Sequence, residues 1–184
     1  MNYQTCIIIA ADKALPNILP LLDPGFSQIK RLVIALSPEM KEKSVLRQYE
    51  HCFKGRNLDV VVWDLPENSF DSFELMASFE QLFQKYGEQA CLNATCGTKL
   101  MLLAAYQEAQ IAQIPAFYID YRHDRLIWID KETPDIHLAD KIKCEHYLHA
   151  NDYELLSSEK PKVSRNSREL TQWLVDNCVQ YEKA

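Results

Sequence analysis

The sequence predicts an α/β protein: a Rossmann-like, mostly parallel sheet with helices on both faces, a terminal β-hairpin and a small helical C-terminal appendage. Three observations carry this prediction. Short, nearly all-apolar runs rich in β-branched residues recur between Thr5 and Asp130, the pattern of strands buried on both faces. Each of the first four is followed by a stretch with helical spacing or helix-forming composition. In such sheets, loops at the C-terminal ends of the strands carry ligands, and the stretch after the fourth run has the composition of an anion-binding turn.

Thr5-Cys6-Ile7-Ile8-Ile9-Ala10 is the first run. Ala11-Asp12-Lys13 turns the chain, and Leu15, Ile18, Leu19 and Leu22 mark a helix that Asp23-Pro24-Gly25 stops. Pro16 suits a first helical turn. Pro20 lacks an interior N–H, which predicts a short or kinked helix. Leu32-Val33-Ile34-Ala35-Leu36 is the second run; Ser37-Pro38 breaks it and starts a helix over 39–53, which Gly55 ends. Residues 59–65 form a third strand. Asn68-Ser69 caps a helix with a broad apolar face of Phe70, Phe73, Leu75, Met76, Phe79, Leu82 and Phe83, closed by Gly87. Ala90-Cys91-Leu92-Asn93 is the fourth strand, and a helix runs from Gly97 to Ile111. Residues 116–120 and 125–130 pair through a turn at His123-Asp124 as an antiparallel hairpin.

This divides the chain into a Rossmann-like domain over 1–133 and an appendage over 134–184. Lys131-Glu132-Thr133-Pro134 reads as a linker, and residues 138–148 and 167–179 read as two helices. From Lys141 to Ala184 seven basic residues balance seven acidic ones, which disfavours a DNA-reading helix and suits packing or dimerisation.

The net charge of −6 argues against a nucleic-acid-binding surface, though not against a local basic pocket. Six scattered cysteines without a Cys-x-x-Cys pair read as free thiols in a reducing compartment, with no zinc site. The absence of a charged-then-apolar leader, and of any apolar run near ~18 residues, predicts a soluble cytoplasmic protein without membrane contact.

The candidate site is the turn Asn93-Ala94-Thr95-Cys96-Gly97-Thr98-Lys99. Free N–H groups at a helix start, with the positive end of its dipole, hold anions. Gly97 permits close backbone approach, Thr95 and Thr98 supply hydroxyls, and Lys99 brings a charge that a ligand phosphate explains better than the helix dipole does. It is not a P-loop, for the Gly-x-x-x-x-Gly frame is missing. The loops after the first two strands, with Asp12, Lys13, Ser37 and Glu39, share the same edge. Ser37 also reads as a helix cap. Of the five histidines none lies on these loops; His146 and His149 share a helix face, but two ligands do not make a metal site. Tyr118, Tyr121 and Trp128 could stack a base or pack the core.

The stretch 93–101, Tyr118 and the hairpin ending Leu126-Ile127-Trp128-Ile129 resemble the CARF family, the CRISPR-associated Rossmann-fold sensor domains. They most resemble the group fused to a restriction-endonuclease-like nuclease, which carries an Asn-x-Thr-Gly-Gly-Thr-Lys type motif here. The likeness spans most of residues 1–153. It implies a homodimer that binds cyclic oligoadenylate, usually cyclic tetra-adenylate, between two facing copies of the 95–99 turn, without a metal or cofactor. It implies Asn93, Thr95, Cys96, Gly97, Thr98 and Lys99 as ligand-binding residues, with Asp12, Lys13, Ser37 and Glu39 toward the adenines. A two-fold ring suits an isologous dimer. Cys96 stands where the family commonly has glycine, and no nuclease signature is present, so a stand-alone sensor, a separate effector chain or a truncated form are all compatible.

Two other readings stay open. A metal-independent ring nuclease would hold a ribose 2′-hydroxyl in line with its phosphate, with Lys99 and Thr98 stabilising charge and Ser37 orienting. A Rossmann-like protein for another nucleotide, or a regulator with a winged-helix remnant in its tail, would not bind cyclic oligoadenylate.

Overall fold

Seven strands form one sheet in the order β3-β2-β1-β4-β5-β6-β7. They are β1 (Thr5–Ile9), β2 (Arg31–Leu36), β3 (Asp59–Asp64), β4 (Ala90–Asn93), β5 (Ala116–Asp120), β6 (Arg125–Trp128) and β7 (Ile136–His137). The first five are mutually parallel, and β6 and β7 are antiparallel to their neighbours. Among the described residues six α-helices accompany them: α1 (Leu15–Leu22), α2 (Pro38–Glu42), α3 (Leu46–Phe53), α4 (Ser72–Tyr86), α5 (Lys99–Ile111) and α6 (Cys144–His149). The computed structural model describes residues 3–43, 45–120, 122–129, 136–138, 144–151 and 153.

The alternating strand residues sort into two cores. Cys6, Ile8, Leu32 and Ile34 face α1, α3 and the Ala150 end of α6. Ile7, Ile9, Val33 and Ala35 face α4 and α5. Burial on both faces is why β1 and β2 read as unbroken apolar runs. The crossovers through α1 and α2–α3 move outward from β1 to β3. The one through α4 returns the chain to the other side of β1. Strand order therefore reverses between β1 and β4, and their C-terminal ends, with Ile8 beside Asn93, flank a crevice.

Several sequence expectations need correcting. The helix over 39–53 is two helices, because the buried apolar positions Met40 and Val45 are five apart. A straight helix turns a five-residue step off its stripe, so the chain breaks and re-registers Val45, Tyr49, Cys52 and Phe53 on the core. The cap of α4 is Asp71, whose carboxylate accepts from Phe73 N and Glu74 N; Asn68 instead closes a turn onto Phe70 N. Phe70 and Phe73 consequently leave the apolar face and stand 83% and 81% exposed. The helix placed from Gly97 begins at Lys99, since Gly97 has φ +104.

Strand β6 ends at Trp128, short of residue 130. Of the helix placed over 138–148, residues 139–143 lie outside the described residues and the described part is α6; before it, Ile136–His137 pair with β6 as β7. All described residues lie in the compact unit Met1–Glu154. The linker at 131–134 and the helix over 167–179, with its winged-helix reading, lie outside the described residues. Among the described residues no helix is long and apolar enough to cross a membrane, and no group of His, Cys, Asp or Glu could hold a metal ion.

A buried polar ladder under an exposed turn

The candidate site is built on Asn93, the last residue of β4, which is fully buried. Its Oδ1 accepts from Thr95 N at 3.1 Å and from the Thr95 hydroxyl, which closes the turn on itself. The Thr95 oxygen in turn accepts from Ile119 N of β5 at 2.9 Å. On its other side Asn93 Nδ2 donates to Asn17 Oδ1 at 3.2 Å and to Pro16 O at 3.3 Å, both on α1. Asn17 Nδ2 donates to Ile9 O at 2.9 Å and to the Tyr49 hydroxyl at 3.0 Å. Burial raises the Tyr49 hydroxyl well above its usual range, so it remains a neutral partner.

One hydrogen-bonded ladder thus ties α3, α1, the end of β1, β4, the turn and β5. Buried polar groups cost free energy unless paired, and a fully paired network fixes one geometry. Pro20 has a clear part in it. Its missing N–H would be the helical partner of Pro16 O. That carbonyl is thereby left free for Asn93.

Gly97 meets two demands at once. Its φ of +104 is one that side chains disfavour, and a Cβ there would lie 2.7 Å from Ile9 Cγ2. The close approach is therefore to β1 beneath the turn. Thr98 caps α5, its Oγ1 accepting from Met101 N at 3.2 Å. Lys99 is exposed at the first position of the helix. The half-buried Cys96 thiol is pushed up to about 11 by burial and is a neutral group, not a thiolate.

The other nominated residues divide. Ser37 is buried, and its Oγ accepts from Met40 N at 3.4 Å as a cap of α2. Asp12 and Glu39 are exposed and are drawn together by Lys43, whose Nζ lies 3.0 Å from an Asp12 oxygen and 2.7 Å from Glu39 Oε1. Both carboxylates raise the Lys43 pKa. Lys13 is exposed beside them. Trp128 is buried against Phe117 and Tyr3, a core residue rather than a base platform. Tyr118 is 42% exposed. Tyr121 lies outside the described residues. His149 packs edge-on to His51.

Asn17, Tyr49 and Lys43 escaped the sequence reading. A signal for Asn17 existed: it is the one polar residue in the apolar helix Leu-Pro-Asn-Ile-Leu-Pro-Leu-Leu. Tyr49 carried none, because a tyrosine at a core position of α3 looks like ordinary packing.

The arrangement sets the first N–H groups of a 13-residue helix and the exposed Lys99 on a turn held from below by Asn93. Comparisons with known proteins agree with this fold. The model of the Card1 CARF domain matches residues 5–147. No curated protein matches the chain. Among solved structures, Can2 from Sulfobacillus thermosulfidooxidans, in complex with cyclic tetra-adenylate, is similar at TM-score 0.73 and 18% identity over 99% of this chain. Protein VC1899 from Vibrio cholerae is similar at TM-score 0.75 and 17% identity over 96%. A type III CRISPR defence DNA nuclease activated by cyclic oligoadenylate is similar at 0.68 and 18% over 99%. At these identities the likeness is one of fold. The chain spans 46%, 46% and 28% of their lengths.

Proposed function

Since the chain belongs to the Card1 CARF domain family, we propose that it is a sensor binding cyclic oligoadenylate, cyclic tetra-adenylate above all, at the two-fold interface of a homodimer, in cytoplasmic type III CRISPR antiviral signalling. The observation that carries this reading is the rigid turn at the β1/β4 crevice with Lys99 exposed on it. Phosphates need N–H donors and a cation, and the first turn of α5 presents both. The turn needs no rearrangement to receive them, because the Asn93–Thr95 bonds already hold it. That Can2 is in complex with cyclic tetra-adenylate, and that a DNA nuclease of the same fold is activated by cyclic oligoadenylate, supports the ligand class. In this reading the response is delivered by an effector domain or a separate chain.

Thr98 and Ser37 accept backbone N–H groups as helix caps and keep a hydroxyl hydrogen to donate, so the metal-independent ring nuclease stays the alternative that the test below separates from a sensor.

The test is calorimetry of the protein with cyclic tetra-adenylate and a chelator, followed by chromatography of the recovered ligand. Tight binding with intact ligand supports the sensor. Linear di-adenylate in the recovered fraction identifies a ring nuclease, and silence toward every ring size overturns the reading. Lys99→Ala is expected to weaken binding by about 1.5–3 kcal/mol, roughly 10- to 150-fold. Unchanged affinity in that variant removes the site from this turn.

A further inference from the structure

We infer that the outer edge of β3 is a docking surface for a second copy of this chain, joined as an antiparallel β3–β3 pair in which the two copies of Val61 lie opposite each other. This surface is separate from the crevice between β1 and β4, because β2 lies between β1 and β3. The inference therefore stands independently of the sensor reading.

Among the described residues the one strand neighbour of β3 is β2. Asp59 N donates to Lys30 O at 2.8 Å, and Leu65 N to Leu36 O at 2.9 Å. Backbone groups alternate in direction along a strand, so the odd-numbered residues bond to β2, and the N–H and C=O of Val60 and Val62 point outward. Proline, lysine or a bulge normally blunts such an edge. Strand β3 reads Asp-Val-Val-Val-Trp-Asp, without proline or lysine, and its register with β2 is unbroken from Asp59 to Asp64.

The side chains show the same incompleteness. Val60 and Val62 lie beside Leu32 and Ile34, which are fully buried, yet they are 38% and 41% exposed. The first core thus ends at β3 with apolar surface showing. Val61 and Trp63 turn the other way, against the second core.

Charge at the two ends of the strand selects the occupant. Arg31 holds Asp59 at 2.7 Å, and Lys41 holds Asp64 at 3.0 Å. Beyond these pairs, the cleft at the start of β3 keeps Lys30 and Lys85 against Glu88, and the cleft at its end keeps Glu42 and Glu67. One end is basic and the other acidic. An antiparallel second copy lays its acidic end on this basic end, and the two-fold repeats the match. With Val61 opposite Val61, Val60 faces Val62 of the second copy. Those two exchange backbone bonds, and the exposed valines of both copies join in one patch. The same register keeps the aspartates apart, with Asp59 facing Trp63 and Asp64 facing Leu58 of the second copy. Where the homodimer at the crevice also forms, two unlike two-fold contacts build assemblies larger than a dimer. That consequence alone rests on the sensor reading.

The experiment is sedimentation velocity of the full chain without ligand, over a rising concentration series, on wild type and Val62→Lys. The wild-type mass is expected to rise with concentration. Val62→Lys sets a charge in the apolar patch at an exposed position, and is expected to show about half the wild-type mass at the top of the series. Val61→Cys tests the register. A non-hydrogen-bonded antiparallel pair sets its Cα atoms about 4.5 Å apart, within reach of a disulfide. Air oxidation with a copper catalyst is expected to give a cross-linked dimer on a non-reducing gel, above the background of the wild type with its native cysteines. Urea midpoints verify that both variants are folded. Equal masses for wild type and Val62→Lys, or no cross-link above that background, overturn the proposal. A Val62→Lys dimer that forms only on adding cyclic tetra-adenylate belongs to the crevice and supports two separate surfaces.

Discussion

Two loops flank the crevice, and they are built in opposite ways. The turn after β4 rests on buried side chains: Asn93 and Asn17 are fully buried, and each polar atom of both amides has a partner. The loop after β1 and the start of α2 are joined by Lys43, Asp12 and Glu39, all exposed. A buried ladder is stiff, because opening any rung leaves a desolvated group without a partner. Exposed ion pairs exchange readily with water and salt and can rearrange around a ligand. In the proposed function this contrast is a division of labour: the turn supplies fixed geometry for phosphates and the neighbouring loops adapt.

The largest expected effect comes from cutting the ladder. Asn93→Ala leaves Asn17, Pro16 O and Thr95 N without their partner, and should lower the unfolding free energy by about 3 kcal/mol in urea titration. A loss no larger than that of a surface substitution would show that the turn holds without it. Next is Gly97→Ala, where the unfavourable φ and the clash with Ile9 should together cost about 2 kcal/mol and weaken cyclic tetra-adenylate binding. Retained stability with normal binding would mean that the turn is as adaptable as its neighbour.

Cys96 sharpens the comparison without perturbing it. Its alkylation, followed by mass spectrometry, should be slow at neutral pH and reach half its maximum near pH 11. Half-maximal reaction at or below pH 9, the ordinary thiol value, would place the thiol in water. The smallest effect belongs to Lys43→Met, which should barely move the urea midpoint at pH 7 in moderate salt. The folded-state pKa of Lys43 is raised, so the small contribution is fully present below the ordinary value of 10.5 and is lost as pH rises through the raised one. A midpoint difference that persists above that pH would point to packing rather than charge.

Much of the frame was legible. Unbroken apolar runs in β1 and β2 identified strands buried on both faces, and their alternation with helices gave a parallel sheet. The His123-Asp124 turn gave the antiparallel hairpin, and Asp124 does take a positive φ of 49. The composition of residues 93–99 located the turn. Less legible were features that depend on what lies opposite: the break between α2 and α3, the exposure of Phe70 and Phe73, and the pairing of the two-residue strand β7. A strand that short has no period to read.

By itself, then, the sequence determined the layered architecture and the polar turn nominated for a ligand, because hydrophobic period and turn composition are local properties. Only the tertiary structure decided what each residue of that stretch does. Asn93 is a buried strut, Gly97 makes room for Ile9, Thr98 and Ser37 are caps, and Lys99, the turn's one charged side chain, is exposed. Asn17, Tyr49 and the Pro16 carbonyl freed by Pro20 joined the site from segments far away in the chain. The physical reason is that a buried polar group is satisfied by whichever partner the fold brings within hydrogen-bonding distance, and no spacing along the chain encodes that partner.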